Sequence, residues 1–329
     1  MSTAVTIQGL TKTFGPKYAV RDLDLVVPTG SLCGFIGPNG AGKTTTIRMI
    51  MSIIFPDSGQ LSVLGRPSAN DSKDRIGYLP EERGVYRKMK VAAFLTYMAR
   101  LKGQDGGAAL RRKVQQWLER MSLTDSAKKR CEELSKGMQQ KVQFVAAVIH
   151  EPDLLILDEV FSGLDPVNRR LMRSLIDEQH RAGRTIIFST HAMYEAEQLC
   201  DRIFMIHRGV KVLDATLGEI RGRFDPRLII VEPDIQNGES IGPRLESLPG
   251  VGGVHTTREG FELHLAEGAD PRAVMGAIVR DTPVRRVELK RVTLEDVFIS
   301  LVDSSGGEGE TAEQLRAAIG ATGNQEAGA

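Results

Sequence analysis

The eight residues Gly37-Pro38-Asn39-Gly40-Ala41-Gly42-Lys43-Thr44 constrain this chain more than any other feature of its sequence. They follow an apolar run, residues 32–36, and precede a helical stretch, residues 45–51, so the pattern sits where a strand hands over to a helix. Glycines there let successive backbone N–H groups turn inward around an anion, and the helix N-terminus adds a positive dipole. Such a loop cradles phosphate. Gly37, Asn39, Gly40, Ala41, Gly42, Thr44 and Thr45 are predicted to line the cradle, with Lys43 reaching the terminal phosphates and the Thr44 hydroxyl placed to ligate Mg²⁺.

A second apolar run, residues 154–157, ends in Asp158-Glu159. In a sheet of parallel strands those acids fall at the carboxyl edge, beside the phosphate loop. Two acids can divide two jobs. Asp158 suits Mg²⁺, directly or through water, while Glu159 can orient or deprotonate an attacking water.

Over roughly the first 215 residues short apolar strands alternate with amphipathic helices, which predicts an α/β sheet covered on both faces. Between residues 90 and 150 the strands stop. Val91, Phe94, Leu95 and Met98 form one helical face, and Leu110, Val114, Trp117, Leu118 and Met121 another, so a helical subdomain interrupts the sheet. After the loop predicted over residues 221–226 the order becomes strand, helix, strand, strand, helix, strand, consistent with a small α+β, ferredoxin-like domain. Phe261, Leu263 and Leu265 alternate as a strand, Ala273, Ala277 and Ile278 share a helix face, and Thr293 with Asp296 forms a capping box. The predicted organisation is therefore an ATPase-type domain over residues 1–220, an accessory domain over 221–303 and a disordered tail over 304–329, rich in Gly, Ala and Glu.

A chain of 329 residues with 41% hydrophobic content can furnish two such cores. Its 43 Lys plus Arg against 42 Asp plus Glu imply no general attraction to nucleic acid, and the basic runs 111–113 and 128–130 read as solvated helix faces. Three scattered cysteines carry no disulfide or metal pattern and suit a reducing cytosol. No apolar run approaches the ~20 residues needed to span a bilayer, so a partner must supply any membrane spans.

The segment Leu134-Ser135-Lys136-Gly137-Met138-Gln139-Gln140-Lys141 narrows the class further. Ser135 can cap a helix there, Gly137 permits close approach, and Met138, Val142, Val145 and Ile149 form a buried stripe. This segment resembles the signature of the ATP-binding cassette (ABC) family, usually Leu-Ser-Gly-Gly-Gln, with Lys136 in place of a glycine and Met138 in place of the glutamine. Ser162-Gly163-Leu164-Asp165 is similar to the loop that crosses between protomers in that family, and Asp165-Pro166 also starts a helix well. His191, closing the apolar strand 186–190, resembles the switch histidine that hydrogen-bonds the γ-phosphate. Thr11-Lys12-Thr13-Phe14-Gly15 resembles the aromatic loop whose ring stacks on adenine, with Phe14 the first choice and Tyr18 the second. Glu81 stands where the family usually carries a glutamine that contacts Mg²⁺.

The resemblance implies a P-loop ABC ATPase fold that binds ATP and Mg²⁺. Two copies would pair head to tail, with Ser135 and Gly137 of one facing the γ-phosphate held by the other. The single cassette, Glu81-Glu82-Arg83-Gly84 and the C-terminal segment around residues 294–298 look like bacterial export ATPases of the sodium-efflux and drug-resistance type. That subfamily implies a second copy of the chain and integral membrane permease subunits as partners, no nucleic acid, and a cytoplasmic location peripheral to the inner face of the cell membrane. An alternative is a soluble ATP-switched module acting on ribosomes or DNA; one phosphate loop and no extended heptads speak against it.

Overall fold

The computed structural model describes residues 2–82, 84–225, 227–234 and 241–304. The predicted tail beyond residue 304 therefore lies outside the described residues, as do Arg83 and, within the predicted loop, Pro226. The elements are β1 (Thr3–Phe14), β2 (Lys17–Pro28), β3 (Leu32–Ile36), α1 (Lys43–Ile50), β4 (Ser58–Val63), β5 (Ile76–Leu79), α2 (Val91–Leu101), α3 (Ala108–Arg120), α4 (Lys136–Val148), β6 (Leu154–Asp158), α5 (Pro166–Arg181), β7 (Thr185–Thr190), α6 (Met193–Leu199), β8 (Arg202–His207), β9 (Val210–Thr216), α7 (Leu217–Arg223), β10 (Leu228–Pro233), α8 (Ile241–Glu246), β11 (Val251–Thr256), β12 (Phe261–Leu265), α9 (Pro271–Asp281), β13 (Val284–Leu289) and α10 (Leu294–Ser304). Two compact units divide them, residues 2–217 with 298–304, and residues 218–297.

Two sheets organise the larger unit. A six-stranded sheet runs β5-β6-β7-β3-β8-β9, parallel except for β8 with β9, and a three-stranded antiparallel sheet runs β2-β1-β4. Residues of β3, β6 and β7 are buried throughout, as strands covered on both faces must be. The apolar faces of the two sheets share a core with α1, in which Val5, Ile7, Leu10, Leu23 and Leu25 join Phe35, Ile47, Ile156 and Phe204. The antiparallel sheet is a departure from the reading of helices on both faces. Register shifts along β1 break its alternation, so the pattern expected of a half-buried strand does not persist along its length.

Helices α2, α3 and α4 make the helical subdomain. Their buried residues follow the predicted faces in α2 and α3, although Met98 is only half-buried and Ala99 is buried beside it. Helix α4 differs from the single predicted stripe: residues 140–148 are all buried, including Gln140, Lys141 and Gln143, while Met138 is only partly so. A helix buried all round has neighbours on every side, and three polar side chains inside it need partners.

The smaller unit contains β10, α8, β11, β12, α9 and β13, with sheet order β11-β12-β10-β13 and every pairing antiparallel. This is the ferredoxin-like βαββαβ arrangement. Its core gathers Ile229, Val231, Leu245, Leu263, Val274 and Ile278. Ala273 is exposed, so the buried face of α9 runs through Val274 and Ile278 instead of Ala273. Residues 221–223, read as loop, form the last turn of α7. Thr293 and Asp296 exchange the predicted capping-box bonds, the Asp296 N–H donating to Thr293 Oγ1 at 3.1 Å and the Thr293 N–H to Asp296 Oδ2 at 3.3 Å. No helix among the described residues is long and apolar enough to cross a membrane.

Candidate active site

The glycine-rich loop joins β3 to α1 at the carboxyl end of the large sheet. Gly42 adopts φ +112°, and a Cβ there would lie 2.5 Å from the Ala19 carbonyl oxygen; one at Gly37 would lie 2.2 Å from that of Ile206. Both positions therefore require glycine on steric grounds. Helix α1 begins without a side-chain cap and without an acid in its first turn. Its leading N–H groups and dipole are left for an anion.

Lys43 curls over the loop, its Nζ donating to the Gly37 carbonyl at 2.7 Å and the Pro38 carbonyl at 3.2 Å, 4.0 Å from Glu159 Oε1. Burial lowers its pKa, and Glu159, Asp158 and Glu81 oppose that shift. The cation is thus surrounded by three carboxylates. The pocket here, of about 360 Å³, is lined by Phe14, Lys17, Ala19, Asn39, Gly40, Gly42, Lys43, Thr44, Thr45, Glu81 and Glu159.

Strand order decides how the acids reach it. Strand β7 lies between β6 and β3, so the carboxyl ends of three neighbouring strands deliver Asp158-Glu159, His191 and the phosphate loop side by side. Glu159 has φ +50°, an uncommon conformation for a non-glycine residue, and its N–H donates to the Ser189 carbonyl at 3.0 Å. Its Oε1 accepts from both the backbone N–H and the Nδ1 of His191, each at 2.9 Å.

Asp158 is wholly buried, and neither carboxylate oxygen has a hydrogen-bond partner; the neighbouring Ser189 hydroxyl is likewise unpaired. Burial pushes the Asp158 pKa up to about 6, opposed by the proximity of the Ser189 hydroxyl and reinforced by Glu159 and Glu81. Two buried carboxylate oxygens without a protein partner suit a cation.

Ser135, Gly137 and Asp165 are absent from this pocket lining. Ser135 is exposed and caps α4 by accepting the Met138 N–H at 3.3 Å. Gly137 lies against Leu164 and Gly163, and Asp165 caps α5 by accepting the N–H groups of Val167 at 3.0 Å and Asn168 at 2.9 Å. Of the two aromatic candidates, Phe14 lines the pocket and Tyr18 does not; the Arg21 guanidinium covers the Tyr18 ring at 5.2 Å.

The sequence reading missed Lys17 and Ala19 in the lining, and it missed Gln140, whose buried Nε2 donates to the Val160 carbonyl at 3.1 Å. No local signal set Gln140 apart, because Gln139, Lys141 and Gln143 stand beside it in the same helix. Nothing local marked Ala19.

Residues 20–162 match the ABC transporter family, and residues 216–302 match the C-terminal domain of DrrA1-3-like ATP-binding proteins. The ABC transporter ATP-binding protein YhaQ of Bacillus subtilis strain 168 is 41% identical over 298 residues, which are 91% of this chain and 98% of that protein. The chain belongs to the ATP-binding proteins of ABC transporters. The daunorubicin resistance ATP-binding protein DrrA3 of Streptomyces coeruleorubidus is 31% identical over 308 residues, 91% of this chain and 96% of that protein. A solved ATP-binding subunit of an ABC transporter superposes with a TM-score of 0.62 at 30% identity, over 68% of this chain and 93% of that one. The fold is accordingly that of an ABC ATPase, an ATP-hydrolysing domain with a P-loop, helical subdomain and separate C-terminal α+β unit.

Proposed function

We propose that this chain energises export through a separate membrane permease, with two copies closing head to tail on two ATP molecules. The observation that carries the reading is the position of Ser135. This exposed, serine-capped helix start stands outside its own nucleotide pocket, so its N-terminal dipole is available to a phosphate held by a second copy. The outward direction is supported by the DrrA-like C-terminal unit and by the relative whose name records drug resistance.

Within the pocket the α1 amides and Lys43 hold the phosphates, while Phe14 offers a ring to the base. Mg²⁺ would be held by Thr44 and Glu81, which line the pocket, and by Asp158, whose buried carboxylate oxygens have no hydrogen-bond partner. Bound there, it would neutralise phosphate charge. Glu159 orients the attacking water and accepts its proton as the water oxygen bonds to the γ-phosphorus and the bond to the β–γ bridging oxygen breaks, releasing ADP and phosphate. His191 donates through Nδ1 to Glu159; donation through Nε2 to the γ-phosphate at the same time needs the doubly protonated ring.

The permease contact is assigned to the groove of about 470 Å³ lined by Tyr86, Arg87, Lys88, Met89 and Tyr97. Tyr86 packs edge-on against Phe94 and Tyr97, which presents two exposed aromatic rings beside basic side chains. Purification of the tagged chain from its native membranes tests the reading. A multi-span membrane protein should accompany it and raise its ATPase rate, whereas a chain recovered from the cytosol without such a partner contradicts the proposal.

A further inference from the structure

Phe14 is the last residue of β1, at the tip of the hairpin that Gly15 and Pro16 turn into β2, and the residue is 56% exposed. Strand β1 is paired on both sides along most of its length, with β2 and with β4. On the β4 side the last rung pairs Thr11 with Ser58, so Lys12, Thr13 and Phe14 extend past the end of β4 with only β2 beside them. A two-stranded tip of this kind is poorly defined by its own backbone pairing.

Asp57 supplies the missing side. Its N–H donates to the Thr11 carbonyl at 2.8 Å, which seats the residue just before β4. Its Oδ2 then accepts the Thr13 N–H and the Thr13 hydroxyl, both at 2.7 Å, doing for Thr13 what another rung of β4 would do. Its Oδ1 accepts from Lys12 Nζ at 2.7 Å, and that ammonium lies 5.7 Å from the centroid of the Phe14 ring. The close seat is built into β4: Gly59, at φ +96°, approaches β1 so tightly that a Cβ would lie 2.5 Å from the Gly9 carbonyl oxygen. The three side-chain bonds hold the Asp57 carboxyl down at about 2, so it stays charged at neutral pH.

We infer that Asp57 is a positioning residue for nucleotide recognition, fixing the hairpin tip through Thr13 and Lys12 so that Phe14 is pre-set to stack on the base. The inference rests on the reading of the pocket as an ATP site. It assigns Asp57 to the base end of the ligand and gives it no part in phosphate binding or hydrolysis. Such preorganisation appears in affinity for the whole nucleotide and spares the rate at saturation.

The test compares binding of ATP and of inorganic tripolyphosphate, each with Mg²⁺, to the full-length chain by calorimetry. Phe14→Ala should weaken ATP roughly tenfold, the loss of one base–aromatic stack, with tripolyphosphate unchanged. Asp57→Ala should weaken ATP about three- to tenfold, again with tripolyphosphate unchanged, and should add nothing in the Phe14→Ala background. Asp57→Asn keeps an acceptor for the Thr13 N–H and should recover part of the loss. Thr13→Val removes only the hydroxyl bond and should give a smaller loss in the same direction, which keeps the test decisive should Asp57→Ala misfold. The inference is overturned if Asp57→Ala and Thr13→Val bind ATP like wild type, if ATP and tripolyphosphate weaken together, or if the double variant shows additive losses. A wild-type chain that binds neither ligand overturns the ATP-site reading itself, an outcome separate from all three.

Discussion

Glu159 and His191 are joined twice at one oxygen: Oε1 of the glutamate accepts both the backbone N–H and the ring Nδ1 of the histidine, at 2.9 Å each. The two residues immediately follow adjacent parallel strands, β6 and β7, so sheet register brings them together across 32 positions of sequence. With Lys43 Nζ 4.0 Å away, the carboxylate is oriented by donors on its protein side and faces a pocket that it helps to line.

Glu159→Gln should keep this geometry, because an amide oxygen still accepts from His191, while the residue loses its capacity to take a proton. We expect ATP binding within about twofold of wild type and a fall in kcat of roughly 10²–10⁴, the usual worth of a general base. Steady-state ATPase assays with parallel nucleotide-binding measurements check this. Retained turnover would remove Glu159 from the catalytic role.

Lys43→Ala removes the cation at the centre of the loop and its bonds to the Gly37 and Pro38 carbonyls. ATP affinity should drop about 10- to 100-fold, the scale of a lost charge-assisted hydrogen bond. Binding isotherms of the two proteins make the comparison, and matching affinities would refute the assignment.

Asp158 makes a pH prediction of definite sign. Its carboxyl titrates near 6 in the fold against 3.8 ordinarily, so the folded state holds the proton more tightly and ionisation opposes folding. The penalty is absent below pH 4, grows between 4 and 6, and is fully present above 6. Asp158→Asn should thus raise the stability of the nucleotide-free chain at pH 8 by on the order of 1–3 kcal/mol, an advantage that fades as pH falls toward 4. The same variant should lose Mg²⁺-dependent turnover. Urea melts of both proteins at pH 4 and pH 8 check the sign, and an equal or lower stability of the variant at pH 8 would contradict it.

Gly42→Ala combines a left-handed backbone with a Cβ 2.5 Å from the Ala19 carbonyl. It should destabilise the chain by about 1–3 kcal/mol, the cost of a strained backbone position, and weaken ATP as the loop shifts. Thermal melts and ATP titration would show it; a variant as stable and as tight-binding as wild type would argue against the loop's dependence on this conformation.

Much of the site is legible because its signals are local. The phosphate loop needs its glycines wherever a strand meets a helix around phosphate, Asp158-Glu159 end a run too apolar to be anything but a buried strand, and Ser135 announces a helix start by its own hydrogen bond. What stays hidden depends on pairing between distant segments. No local pattern shows that β7 inserts between β6 and β3, that Glu159 takes a positive φ there, or that β1, β2 and β4 form a separate sheet. The burial of α4 over residues 140–148 likewise follows from neighbours that its own sequence does not name, and Asp57 matters only because β4 stops at Ser58, opposite Thr11, and leaves Lys12, Thr13 and Phe14 beyond its end.

In the proposed dimer the two halves of one ATP site come from two copies of the chain, Lys43 with its loop on one and Ser135 with Gly137 on the other. Light scattering on Glu159→Gln at saturating Mg-ATP measures it directly. The head-to-tail dimer should appear as a species of twice the 36.0 kDa chain mass that holds two nucleotides and returns to the monomer when Ser135→Arg is added. A Glu159→Gln chain that stays monomeric with ATP bound would contradict it.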